Sequence, residues 1–203
     1  MKILLVDDHQ LLADALVSLI ELRFPQCSVT QADSLAAALS RLDEDVQLVL
    51  LDLGLPDAEG LQALQAIREA APAVRLVVIS ADDRPETVEA AIEAGASGFV
   101  PKRASSQQLM QALVETLEGG IALPATLLAA LPSTEAPQLT PRQQDVLRLL
   151  LQGQPNKLIC RSLGLSESSV KTHLEAVYRR LGVSSRAQAI VAVARLGLKL
   201  QGS

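Results

Sequence analysis

Short apolar runs recur through the first half of the chain, and each stops at a polar residue. Ile3–Val6 runs into Asp7 and Asp8, the run after Gln47 into Asp52, Leu76–Ile79 into Ser80, and Gly98–Val100 into Pro101 and Lys102. Runs this short, bounded by turn-forming residues, predict buried strands. Between them the spacing turns helical: Leu12, Ala15, Leu16 and Leu19 share one face, as do Val88, Ala91, Ile92 and Gly95, and Leu109, Ala112, Leu113 and Thr116. A strand near Ser28–Thr30 and a helix from Leu35 to Leu42 complete five β/α repeats. Strands alternating with helices predict right-handed βαβ units, hence an α/β domain built on a doubly wound parallel sheet of flavodoxin-like (βα)5 form.

The pattern changes at Gly119. Two glycines, then Pro124, Pro132, Ser133, Thr134 and Pro137, predict a linker over 119–138 with a short helix at Ala125 to Leu131. Beyond it every period is helical. Thr140 caps one helix with Pro141 at its first position; Val146, Leu149 and Leu150 form its stripe, and Gly153 ends it. A second helix runs from Pro155 to Leu163. Gly164 to Ser166 makes a tight turn, and Val170, Leu174, Val177 and Leu181 mark the core face of a third. Its opposite face carries Lys171, Thr172, Glu175, Arg179 and Arg180, and a fourth helix holds Ile190, Val191 and Ala194 together. Two helices joined by a short Gly-containing turn, the second polar and basic outside, predict an all-α helix-turn-helix domain over 139–203.

Charge divides the chain at the same place. Residues 1–123 carry a net charge of -11 and residues 124–203 a net charge of +6, within an overall -5. One half repels nucleic acid and the other attracts it, which predicts two domains with different partners. The 203 residues are 49% apolar but hold one Tyr, two Phe and no Trp, so both cores must be aliphatic. Asp7 and Asp8 interrupt the first apolar run after four residues, and no run approaches a bilayer span, so a cytoplasmic location without membrane contact is expected. Cys27 and Cys160 are expected to be reduced core thiols.

The chemistry lies at the strand ends. In open parallel sheets ligands bind outside the carboxyl ends of the strands, where Asp7, Asp8, Asp52, Ser80 and Lys102 would meet. Three crowded carboxylates repel, and Mg²⁺ relieves the repulsion while leaving room for phosphate oxygens. Beside it Asp52 can attack as an aspartyl nucleophile while Lys102 and Ser80 neutralise the transferring group. Each residue also has a plainer reading. Asp7 and Asp8 suit a helix start, Ser80 a strand-end cap, and Lys102 a solvated lysine; His9 is assigned no chemistry.

Val6-Asp-Asp8, Asp52 with Pro56 and Gly60 after it, Ser80-Ala81, and Lys102 behind Gly98-Phe99 together resemble a response-regulator receiver domain over residues 1–118. Leu139-Thr-Pro-Arg142, Ser166 through His173, Leu181-Gly-Val183 and Arg186-Ala-Gln188 are similar to the LuxR-type helix-turn-helix. Together they resemble a two-component transcription factor of the NarL/FixJ type. That resemblance implies phosphorylation of Asp52 by a histidine kinase, Mg²⁺ on Asp7, Asp8, Asp52 and the Gly54 carbonyl, and a switch through Ser80, Lys102 and Phe99. It implies base contacts in double-stranded DNA from Lys171, Thr172 and Glu175, phosphate contacts from Lys157, Ser169, His173 and Arg179, and a homodimer on phosphorylation or on DNA. His173 can equally be a packing residue, and Gln143 and Asp145 occupy positions that look like scaffold. Glu175 is the expected specificity residue, since an acidic group against DNA is favourable where it accepts from a cytosine amino group.

Two departures leave a second expectation open. Arg103 rather than proline follows Lys102, and Asp82 and Asp83 add carboxylates beside the site. A phosphorylation-independent DNA-binding regulator with a protein-docking receiver is the alternative. An aspartyl-nucleophile phosphatase shares the carboxylate logic, but Gly54 stands where its general acid would be wanted, so no enzyme activity is expected.

Overall fold

The computed structural model describes residues 1–118, 120–124 and 138–196. Most of the 119–138 linker, including its expected helix from Ala125 to Leu131, lies outside the described residues, as do residues 197–203.

Five strands form one parallel sheet: β1 (Lys2–Val6), β2 (Ser28–Ala32), β3 (Val46–Asp52), β4 (Arg75–Ser80) and β5 (Gly98–Pro101), in the order β2-β1-β3-β4-β5. The chain steps outward from β1 to β2 and then crosses back to β3, so the winding reverses between β1 and β3. Alternation along each strand sends side chains to two faces. Ile3, Leu5, Leu48, Leu50, Val77, Ile79 and Val100 pack beneath α1 (Gln10–Arg23) and α5 (Ser106–Leu117). Leu4, Val6, Val49, Leu51, Leu76, Val78 and Phe99 belong to the core on the other side, under α2 (Leu35–Arg41), α3 (Gln62–Ala70) and α4 (Pro85–Glu93). With both faces covered, β1, β3 and β4 read as near-continuous apolar runs.

Two details depart from the sequence pattern. The buried face of α1 is Ala13, Leu16 and Ile20; Ala15 is exposed, Leu19 is only partly buried, and Leu11 is 87% exposed. Apolar residues cover most of the circumference of this helix outside the Gln10, Asp14, Ser18 and Glu21 stripe, so its period fixes the phase only loosely, and the neighbouring strands settle it. Helix α3, to which the sequence pattern assigns no residues, buries Ala63, Leu64, Ile67 and the guanidinium stem of Arg68.

The second half contains α6 (Pro141–Leu151), α7 (Asn156–Leu163), α8 (Glu167–Leu181) and α9 (Arg186–Arg195). Thr140 caps α6 as expected, and Gln143 returns the bond to the Thr140 N–H, completing a capping box. That makes Gln143 scaffold, as its sequence position suggests. Gly164, at φ 62°, takes the left-handed conformation that turns α7 into α8. Val170, Leu174, Val177 and Leu181 are all buried, so the expected core face of α8 is observed. The core of this helical unit is continuous with the α2/α3/α4 side of the sheet domain. Among the described residues no helix is long and apolar enough to cross a membrane.

Candidate functional site

Strand register brings the acidic residues together. Val6 pairs with Leu51, so Asp7 and Asp52 leave neighbouring strands at the point where the winding reverses. Asp52 pairs with Ile79, and Ser80 with Pro101, which carries the row outward to Lys102. The Lys102 N–H donates to the Ser80 carbonyl at 2.7 Å, fixing the base of its side chain across the end of β4.

From there the Lys102 ammonium reaches back to the acids, 2.7 Å from Asp52 Oδ2 and 3.1 Å from Asp7 Oδ2. Both carboxylates are 4% exposed. Burial pushes the Lys102 ammonium down, yet hydrogen bonds and charges from Asp52 and Asp7 outweigh it and hold its pKa above the ordinary lysine value. Lys102 is therefore a committed cation rather than a solvated one.

Asp8 lies at the rim, and His9 joins it. The His9 Nδ1 is 2.8 Å from Asp8 Oδ1 and 3.3 Å from Asp7 Oδ1, while the His9 N–H donates to Asp7 Oδ1 at 2.9 Å. One ligand atom from each of Asp7, Asp8, His9 and Asp52 fits within 4.8 Å of the others. The sequence gives His9 no role, because a histidine beside two aspartates carries no spacing signal; only the fold turns its ring toward them. Asp7 Oδ2 is buried and accepts no hydrogen bond of good geometry. A buried, incompletely satisfied carboxylate oxygen beside the carboxylates of Asp8 and Asp52 suits a hard divalent cation. Gly54 lies against the Asp52 carboxylate, where a Cβ would come within 3.4 Å of Oδ2.

Ser80 is buried, and its hydroxyl accepts from the Asp82 N–H at 3.2 Å. The two extra carboxylates that the sequence places near the site are already engaged. Asp82 takes a forked pair of bonds from Arg84, at 2.8 and 2.7 Å, and a third from the Thr87 hydroxyl at 2.9 Å. The Arg84 fork and the Thr87 hydroxyl hold its carboxyl well below the usual carboxylate range. Asp83 pairs with Arg103. Phe99 is 1% exposed within the apolar core, so its ring lies inward in this state.

In the helical unit, Lys171, Thr172, Glu175 and Arg179 are exposed together on α8, Ser169 and His173 are half-buried at its edge, and Lys157 is exposed on α7. Ser166 caps α8 and also bonds the Ser169 hydroxyl at 2.8 Å. Thr172 donates to the Ser168 carbonyl at 3.0 Å, which leaves its oxygen able to accept.

Comparison with known proteins agrees with both halves. Residues 3–114 match the response regulator receiver domain family, and residues 137–193 match the bacterial regulatory proteins of the luxR family. The chain is 35% identical to the glycerol metabolism activator of Pseudomonas putida, covering 94% of this chain and 93% of that protein. It is also 35% identical to the nitrate/nitrite response regulator protein NarL of Escherichia coli strain K12, covering 93% of each. The Salmonella typhimurium response regulator RcsB shares the fold, with a TM-score of 0.60 at 20% identity over 96% of this chain and 99% of that one. A receiver sheet with its acids at the winding reversal, joined to a LuxR-type helix-turn-helix, makes this chain a member of the DNA-binding transcriptional response regulators of two-component systems.

Proposed function

We propose that Asp52 accepts a phosphoryl group from a histidine kinase and that the added charge sets the DNA-binding state of the helical unit. The observation that carries this is the Lys102 ammonium bridging Asp52 and Asp7 in a buried row. An Asp52 oxygen attacks phosphorus, the bond from phosphorus to the kinase imidazole breaks, and the imidazole keeps the electron pair. Mg²⁺ held by Asp7, Asp8, Asp52 and the Gly54 carbonyl would neutralise charge on the transferring oxygens. Lys102 then exchanges a carboxylate oxygen for a phosphoryl oxygen, and the Ser80 hydroxyl turns from the Asp82 N–H to donate to another. The new group adds about -1.5 to -2 charge, enough to reorganise bonds of this kind. The engagement of Asp82 and Asp83 by Arg84, Thr87 and Arg103 favours this reading over a receiver that only docks proteins, since neither carboxylate is left to repel an anionic donor.

The test is solution mass with and without beryllofluoride and Mg²⁺. A monomer that becomes a dimer only when Asp52 is intact supports phosphorylation-driven assembly; an unchanged mass together with no beryllofluoride binding rejects the switch. Mg²⁺ alone is expected to raise the unfolding midpoint, by about 2.7 kcal/mol of stability at a hundredfold excess over its dissociation constant. Thermal scans of Asp7→Asn should show most of that gain lost.

On DNA, Lys171, Thr172 and Glu175 are proposed to face bases, with Lys157, Ser169, His173 and Arg179 toward phosphates. Arg179→Ala should weaken binding evenly across sequences and reduce the salt dependence by roughly one counterion. Glu175→Ala should instead change sequence preference, by about 1–3 kcal/mol at one base pair. Binding titrations over a set of duplexes and salt concentrations separate the two outcomes.

A further inference from the structure

Helix α9 is buried nearly all round. From Ala187 to Val193 every residue except Gln188 is buried, including Ala189, Ile190, Val191 and Ala192. A surface helix shows one apolar stripe, so a helix apolar on all sides is packed on more than one side. One side of α9 packs against α8 within its own unit; another packs against α4 of the receiver.

The α4 contact carries charge. The Glu93 carboxylate, in the last turn of α4, accepts from the Ala187 N–H at 2.8 Å. Ala187 sits in the first turn of α9, whose unpaired N–H groups favour an anion. The receiver thus supplies part of the N-terminal cap of a helix in the other domain. Ser185 supplies the rest by accepting from the Gln188 N–H.

Around this bond two buried guanidinium groups approach from opposite domains. Arg68 of α3 donates to the carbonyls of Pro72, Val74 and Gly95, and Arg186 of α9 to those of Gln154 and Leu150. Among the described residues neither forms an ion pair with a carboxylate, and the Nε of each has no partner. Burial pushes the Arg68 pKa down to about 10, and the charge of Arg186 adds to the effect. Burial lowers Arg186 as well, and its neighbours Tyr178 and Glu93 oppose it. The backbones meet closely beside them: the Ser97 hydroxyl donates to the Gln152 carbonyl at 3.3 Å, and a Cβ on Gly153, at φ 78°, would lie 2.7 Å from the Gly95 oxygen. Two like charges face each other across the domain boundary, and the Glu93 carboxylate offsets that of Arg186.

Helix α4 also reaches the phosphorylation site. Its first turn hangs on Asp82 through Arg84 and Thr87, and the Asp82 N–H is the group that holds the Ser80 hydroxyl. A turn of Ser80 toward a phosphoryl group releases Asp82 at one end of a nine-residue rod whose other end is Glu93. Meanwhile the polar face of α8 stays exposed.

We infer that Glu93 latches the DNA-binding unit to the receiver through the N-terminus of α9, and that phosphorylation opens this latch through α4 rather than uncovering the recognition helix. The second half of this inference rests on Asp52 being the acceptor; the first does not.

The test uses the full unphosphorylated chain and measures the radius of gyration by small-angle scattering and hydrogen exchange of α9 amides. Glu93 is exposed, so its variants keep the receiver core. Glu93→Lys is expected to enlarge the particle and speed exchange at Ala187 by about tenfold, with Glu93→Ala next. Glu93→Gln, which retains an acceptor oxygen but no charge, should fall between Glu93→Ala and wild type. Wild type with beryllofluoride and Mg²⁺ should reproduce the opening. Identical scattering and exchange for Glu93→Lys and wild type would overturn the latch. Beryllofluoride that binds without opening the particle would overturn its control by phosphorylation. Failure of beryllofluoride to bind would instead reject the acceptor site, with the Glu93 variants still deciding the latch.

Discussion

Asp52→Asn is expected to take up no phosphoryl label from a small-molecule phosphodonor in Mg²⁺, a fall of at least about a hundredfold from wild type. An amide oxygen is a poor nucleophile, and an amide supplies no charge to a divalent cation. The variant should nonetheless fold. Its amide oxygen can still accept from Lys102, now 2.7 Å from Asp52 Oδ2, and one of the crowded acids is gone. A thermal midpoint at or above the wild-type value would separate lost chemistry from lost structure. Label retained by the folded variant would move the acceptor elsewhere, with Asp7, the other buried carboxylate of the site, the first to examine.

Phe99→Ala should cost about 3–5 kcal/mol of receiver stability, the range for removing a fully buried aromatic ring. The side chain is one of the largest wholly enclosed among the described residues, and its strand, β5, lies at the sheet edge. Phe99→Leu should cost about 1.5 kcal/mol or less, because volume is largely kept. Denaturant titration followed by circular dichroism gives both values. A loss below about 1 kcal/mol for Phe99→Ala would mean that the ring is not packed as a core residue. If Phe99 also belongs to the proposed switch, the Leu variant should still bind beryllofluoride but give a smaller change in mass.

The latch through Glu93 and the site at Asp52 meet in one helix. Helix α4 begins at the Asp82 network and ends at the cap of α9, so one short element touches both regions. Two buried cations opposed across the boundary weigh against the closed arrangement. Such an opposition suits regulation, since a ligand shifts an equilibrium only by its differential affinity for the two states.

Much of this was legible along the chain. Apolar runs that stop at Asp7, Asp52, Ser80 and Lys102 locate four strands, and a parallel sheet leaves little choice about where their carboxyl ends point. Helix starts at Thr140 and Ser166 are equally local, because a hydroxyl that accepts from an N–H three residues on needs no distant partner. The buried face of α1 was only loosely legible, because its apolar residues cover most of the circumference outside one polar stripe and the flanking strands choose among them. The places of His9, Arg68, Arg186 and Glu93 were not legible. Each is an ordinary polar residue in sequence, and each acquires its role from a neighbour that the chain supplies elsewhere: Glu93 and Ala187 are joined by one hydrogen bond across 94 positions. Local periodicity and capping determined the elements and the order of the site residues. The union of the two cores, the opposed guanidinium groups and the cap shared between domains were decided only when the chain closed on itself, because burial and charge depend on distances through space.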